Sequence, residues 1–170
     1  NFESFEDGGF TSVSLHVFNK YGFYKGDAFL SWMQGHIKNK GFAIDATFKD
    51  FQNKGCKDLH VFASDLNIQC VKEFSFEKTP DVPVAEAVRA SMSIPLFFEA
   101  WQFSNNNPDD HIYVDGGMVY NYPITIFDNG DQPNQQTLGL FLSNLGTPPP
   151  PNNLKTGEFF SYVRNLLDSV

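Results

Sequence analysis

Between Asp27 and Leu66 the hydrophobic period of the chain changes from helical to strand-like, and this switch restricts the fold more than any other feature. Phe29, Leu30, Met33 and Ile37 recur at three- and four-residue steps, which predicts a helix from Asp27, its N-cap, to Lys40. Lys38 and Lys40 suit the negative end of the helix dipole, and Gly41 closes it. Thr47-Phe48-Lys49-Asp50 has the form of a capping box and predicts a short helix ended by Gly55. The run Leu59 to Leu66 is then largely apolar, as expected of a buried strand in an α/β sheet. Further on, Pro80 and Pro83 fit the first turn of a helix over about Asp81 to Ser91, with Val84, Ala87 and Val88 inward and Pro95 enforcing its stop. Strands are predicted over Thr11–Phe18, Leu96–Phe103, Ile112–Val114 and Thr137–Leu142, and a last helix from Gly157. Residues 147–151 form a proline-rich surface connector. Strands alternating with helices, with no internal repeat, favour an α/β fold.

A chain of 170 residues has room for one domain with a sizeable core. It contains no run of eighteen apolar residues long enough to span a bilayer as a helix. The net charge of −8 argues against nucleic acid as a partner, because phosphate binding needs clustered Lys and Arg. The same charge disfavours simple electrostatic docking on anionic lipid, so a lipid-facing role would rest on apolar contacts, which nineteen phenylalanines can supply. Cys56 and Cys70 form no CxxC and have no ligand-spaced histidine, so they read as two ordinary thiols, with a disulfide as the alternative. Two cysteines and no N-x-S/T acceptor fit an intracellular setting, and a protein exported to act on membranes would look the same. The missing initiator Met suggests that Asn1 is not the natural start of the gene product.

The chemistry-bearing stretch is His111 to Ile124, where an apolar run delivers Asp115 into a turn made by Gly116 and Gly117. A strand end holds a reactive group rigidly, and glycines let a substrate or another backbone approach. Asp-Gly-Gly alone is only a turn signal: Asp7-Gly8-Gly9 repeats it without a strand in front. No serine lies in a G-x-S-x-G elbow, and Ser64 reads as a polar residue ending a strand. His16 and His60 read as packing or surface residues and His36 belongs to a helix. His111, four residues before Asp115, would project to the same face of a strand and is expected at the surface. Asn105 to His111 and the Asp128/Asp131 turn match no EF-hand, and H-E-x-x-H and phosphate-binding glycine loops are missing, so neither a metal nor a cofactor is expected.

Three segments occur in a telling order: Ala87-Val88-Arg89-Ala90-Ser91-Met92-Ser93-Ile94-Pro95, then Tyr113-Val114-Asp115-Gly116-Gly117, then Asn121-Tyr122-Pro123. In this order the chain resembles the patatin-like phospholipase family, which shows an A-x-x-A-S-x-S-x-P-type segment, a downstream D-G-G and N-x-P soon after. Thr47-Phe48, Leu59 to Leu66 and Leu138-Gly139-Leu140 also fall in the expected places, so the resemblance runs from about Tyr21 to Leu142. It implies a three-layer α/β/α fold and lipid acyl hydrolysis by a Ser-Asp dyad without cofactor. Asp115 matches the dyad aspartate, with Gly116 and Gly117 shaping the site. The family's nucleophilic serine and its glycine-rich oxyanion loop lie upstream of the D-G-G segment, and neither is present here. The expectation is therefore a partial patatin-like domain over residues 1–170, inactive alone, that meets its serine in the remainder of the same polypeptide. Its implied partners are a phospholipid or other acyl lipid and a membrane surface. The alternative is a non-catalytic patatin-like module that binds lipid or protein.

Overall fold

Helix α1 (Asp27–Asn39) starts one residue after Gly26, whose φ of 76° makes it the N-cap in place of Asp27, which sits in the first turn. This computed structural model describes residues 21–141. The predicted strand at 11–18, the connector at 147–151 and the last helix lie outside the described residues. The chain divides after Asn121 into two compact units, and the first holds every strand named below.

In that unit the inward face of α1 follows the predicted spacing except at Phe29, whose ring packs on the exposed Trp32 at 5.6 Å. Ile37 is buried in the core, and Leu30 and Met33 pack against it. Helix α2 (Phe48–Asn53) opens with both halves of the capping box: Thr47 Oγ1 accepts from the Asp50 N–H, and the Asp50 carboxylate accepts from the Thr47 N–H at 2.9 Å. Helix α3 (Val84–Ser91) begins three residues later than predicted, with Pro83 as its N-cap, and buries Val84, Ala85, Ala87 and Ala90. Proline cannot donate a backbone bond, so it can stand only at the mouth of the helix.

The strands form two sheets. Strand β1 (Gly22–Tyr24) pairs in parallel with β4 (Leu96–Phe98), placing Gly22 opposite Leu96 and Tyr24 opposite Phe98. Gly22 is required there, because a Cβ would stand 2.1 Å from the Phe98 carbonyl carbon. Strand β2 (Val61–Asp65) lies between β3 (Cys70–Phe74) and β5 (Tyr113–Asp115), antiparallel to both. Its partners in β5 run Ala63–Asp115, Ser64–Val114 and Asp65–Tyr113. Phe74, Phe103 and Tyr113 meet in the core at ring separations of 5.4–5.5 Å. The described residues thus mix helices and sheets in an α/β fold.

Several expected boundaries move. The strand predicted over Leu59–Leu66 is confined to Val61–Asp65, with both leucines exposed at its ends. The predicted strand Leu96–Phe103 stops at Phe98, because the chain turns to reach β5, where Trp101 makes an isolated antiparallel bridge with Tyr113. Ile112 precedes β5 rather than starting it. The described part of the predicted strand Thr137–Leu142 is not extended sheet, and Leu138 and Leu140 are more than four-fifths exposed. In the second unit, a short 3₁₀ turn spans Ile124–Phe127, and Asn134 N–H donates to Asp128 Oδ1 at 2.8 Å.

Candidate active site

Asp115 is the last residue of β5 and the N-cap of a 3₁₀ turn, Gly116–Met118, at the place where the two glycines predict a turn. Its three polar groups have different partners. The N–H donates to the Ser93 carbonyl at 2.9 Å, the carbonyl accepts from Ser64 Oγ at 2.8 Å, and carboxylate Oδ1 accepts from the Gly117 N–H at 2.7 Å. Burial pushes the Asp115 carboxyl above the usual carboxylate range, against the smaller opposing effect of the Gly117 N–H.

The two predicted site-shaping glycines do different work. Gly116 is buried, and a Cβ there would lie 2.4 Å from the Phe62 carbonyl oxygen, so the turn passes directly against the backbone of β2. At Gly117 a Cβ would lie 3.0 Å from both Asn121 Oδ1 and Asp115 Oδ1. Only a residue without a side chain lets the N–H of position 117 face the carboxylate this closely. Asn121, the first residue of the Asn-aromatic-Pro segment, therefore borders the Asp115 carboxylate. Immediately beyond the turn, Met118, Val119 and Tyr120 are exposed, and the Tyr120 ring meets Phe62 edge to face at 6.0 Å.

The segment Ala87 to Pro95 supports Asp115 from beneath. Arg89 is fully buried at the end of α3, and its guanidinium donates to Ser93 Oγ, to the Lys25 carbonyl and, at 3.1 Å, to the Glu99 carbonyl. Ser93 Oγ in turn donates to the Arg89 carbonyl at 2.8 Å. The guanidinium also lies 5.6 Å from the Phe98 ring and 5.3 Å from that of Trp101. The α1 entrance, the end of α3 and the exit of β4 are thereby tied to one side chain. Ser93, held by it, supplies the carbonyl that anchors Asp115.

Two further residues depart from expectation. Ser64 is the penultimate residue of β2 rather than its end, is 1% exposed, and spends its hydroxyl on Asp115. His111 is not a free surface residue: its Nδ1 lies 2.7 Å from Oδ2 of the fully buried Asp65. That contact raises the His111 pKa, with burial opposing and Asp109 and Asp110 assisting. Asp65, Asp109 and His111 offer ligand atoms within 4.8 Å of one another. They close on themselves as an ionic network, however. Lys72 Nζ sits 3.0 Å from Asp109 Oδ2, the Tyr113 hydroxyl donates to Asp109 Oδ1 at 2.6 Å, and Asp65 Oδ1 accepts from the Asn67 N–H. Burial opposes charge on Asp109, but these donors outweigh it and hold its carboxyl below the usual range. Burial, assisted by the same carboxylate, drives the Tyr113 hydroxyl well above its ordinary value.

His60 Nδ1 lies 2.8 Å from Glu73, His36 packs against Trp32, and both described cysteines are free thiols. A separate pocket lined by Asp45, Asp81 and Glu86 does not include Asp115.

The sequence profile of the patatin-like phospholipases matches residues 2–128, a span that carries Asp115 and its two glycines. The chain belongs to the patatin-like phospholipase family. It is similar to the uncharacterised protein YqhO of Bacillus subtilis, at 32% identity over 166 residues, 91% of this chain and 54% of that one. It is also similar to the uncharacterised protein R571 of Acanthamoeba polyphaga mimivirus, at 29% identity over 158 residues, 88% of this chain and 48% of the other. A third relative is a probable lipid hydrolase, 463L, of Invertebrate iridescent virus 6, at 31% identity over 110 residues, 64% of this chain and 36% of that protein. The chain thus spans about half the length of the first two curated relatives. Within this patatin-like chain, the sequence pattern brought out Asp115, Gly116 and Gly117. From sequence Ser64 reads only as a polar residue ending a strand; its contact with Asp115 follows from its place opposite Val114 in the sheet, which no local pattern encodes.

Proposed function

We propose that this chain carries the general base of a lipid acyl hydrolase, Asp115, which works as half of a Ser-Asp dyad whose serine lies elsewhere in the same polypeptide. The observation that carries this reading is the state of Asp115. It is a half-buried carboxylate at a strand end, held by one N–H on Oδ1 and raised in proton affinity by its surroundings. A carboxylate so raised is a better base toward a hydroxyl than one in water. Family membership and the lipid-hydrolase relative support an acyl substrate. The exposed Met118, Val119 and Tyr120 beside the turn support apolar contact with an acyl chain or membrane surface.

In this mechanism Asp115 accepts the serine proton as the serine oxygen attacks the ester carbonyl. The tetrahedral intermediate collapses, the C–O bond to the leaving alcohol breaks, and Asp115 returns the proton to that alcohol. Water then gives its proton to Asp115 as it attacks the acyl-serine, and the proton passes back to serine as the fatty acid leaves. The carboxylate ends each half-reaction ionised, as it began.

The test is fatty-acid release from a phospholipid or simple ester by the full-length protein and by its Asp115→Asn variant. Asparagine keeps the capping geometry and removes the base, so activity should fall by about a thousandfold or more. Retained activity in that variant would refute the assignment.

A further inference from the structure

We propose that Ser64 is a positioning residue for Asp115: its buried hydroxyl fixes the peptide that aims the carboxylate. The proposal rests on the reading of Asp115 as a base and adds to it a residue from the neighbouring strand.

The geometry is specific. Ser64 stands in the central strand of its sheet and is 1% exposed, so its hydroxyl has no solvent to turn to. It donates at 2.8 Å to the carbonyl of Asp115, 51 residues away, rather than to a neighbour on its own strand. That carbonyl begins the Asp115–Gly116 peptide, and one peptide further on is the Gly117 N–H that holds Oδ1 at 2.7 Å. At the other end, the Asp115 N–H is pinned to Ser93 at 2.9 Å. With both ends of the residue fixed, the Cα–Cβ bond has a set direction, and the Gly117 N–H selects the rotamer of the carboxylate. Both residues after it are glycines, which supply little stiffness themselves. Without the Ser64 hydroxyl, the Asp115–Gly116 peptide can rotate and carry the Gly117 N–H away from Oδ1.

The consequences differ from those of a general loss of stability. The Gly117 N–H favours the ionised carboxylate, so its departure moves the Asp115 titration to higher pH. Orientation matters to the chemical step more than to binding, so kcat falls while KM holds. The decisive comparison is Ser64→Ala against Ser75→Ala in the full-length protein. Ser75 is equally buried and hydrogen-bonded to Lys78 and Thr79, away from Asp115. The readouts are the titration of the Asp115 side-chain carboxyl, followed through its own carbon resonance, and the kcat and KM profiles against pH. That one resonance reads Asp115 itself rather than the charged groups Asp65, Asp109 and His111 at the other end of β5.

Ser64→Ala should raise the Asp115 midpoint and lower kcat about tenfold with KM within about twofold, whereas Ser75→Ala does neither. A wild-type midpoint in Ser64→Ala overturns the proposal. Should that variant fail to fold, Ser64→Cys substitutes a weaker donor of similar shape, and a wild-type midpoint there overturns it equally. The titration reads positioning whether or not Asp115 is catalytic. Retained activity in Asp115→Asn would thus remove the base assignment, and an unmoved midpoint would remove this one.

Discussion

Replacing Gly116 by alanine should damage both the fold and the chemistry, because the added carbon has nowhere to go. It would stand 2.4 Å from the Phe62 carbonyl oxygen, 2.9 Å from the Phe62 carbonyl carbon and 3.4 Å from the Ala63 nitrogen. All three are main-chain atoms of β2, which is paired on both sides and cannot swing away. Reaching even 3.0 Å from that oxygen requires the end of β5 to move 0.6 Å off its partner. Overpacking of this kind costs about 1–3 kcal/mol. For a domain of this size the melting temperature should fall by roughly 3–10 °C. The same displacement carries Asp115 with it, and misplacement approaching 1 Å costs about a hundredfold in rate.

Gly117→Ala provides the contrast. Its Cβ meets two side-chain oxygens at 3.0 Å, those of Asn121 and Asp115, and side chains can give way where a strand cannot. Stability should change by less than about 0.5 kcal/mol, while fatty-acid release falls because the carboxylate is the group that yields. Urea denaturation of both variants, followed by activity at matched folded fraction, separates the two effects. A Gly116→Ala protein as stable as wild type, or a Gly117→Ala protein less stable than Gly116→Ala, would refute this account of the turn.

Two other perturbations bear on the frame around the site. Arg89→Met leaves the Ser93 hydroxyl and the carbonyls of Lys25 and Glu99 without the guanidinium that now serves them, and should cost about 3–5 kcal/mol in urea denaturation. A loss below about 1 kcal/mol would show that the buried arginine is not the tie it is taken to be. For His111, the folded pKa is raised above its ordinary 6.5, so its pairing with Asp65 stabilises fully below that value and is lost as pH rises through the folded pKa. The stability gap between wild type and His111→Gln should therefore be wider near about pH 5.5 than near about pH 9, and an equal gap at both would contradict the pairing.

Features written in local sequence were legible, and features made by distant partners were not. Helix α1 follows from the three- and four-residue spacing of Leu30, Met33 and Ile37, and α2 from Thr47 and Asp50, whose capping bonds close within three residues. Strand β1 is only three residues long and exists because Leu96–Phe98 runs beside it, a pairing that no local pattern encodes. Strand β3 escaped notice for a similar reason, since Cys70–Phe74 gains its identity from the hairpin that Asp65 closes through the Asn67 and Ile68 N–H groups. Residues 137–141 show the reverse error: they alternate correctly, yet they form no strand. Asp115 was visible because a strand, two glycines and an Asn-Tyr-Pro segment surround it within a few positions. The contacts of Ser64 with Asp115 and of Asp65 with His111 span 51 and 46 residues, beyond the reach of any window.

Strands β2 and β5 carry two carboxylates near opposite ends of their shared ladder, and their surroundings differ in a way that favours Asp115 for the proposed role. Asp65 is fully buried, with Oδ1 taking the Asn67 and Ile68 N–H groups and Oδ2 facing His111. Both oxygens of that carboxylate are matched by partners, so it is spent on closing a hairpin and holding the 109–111 loop. Asp115 is less buried and yet less well served, with the Gly117 N–H on Oδ1 and burial raising its affinity for a proton. Its backbone, by contrast, is tied at both ends, to Ser93 and to Ser64. A rigid main chain under an undercompensated carboxylate is costly for stability and serves no packing purpose. It is the arrangement the proposed base requires, because a proton taken from the serine hydroxyl neutralises a charge that burial disfavours.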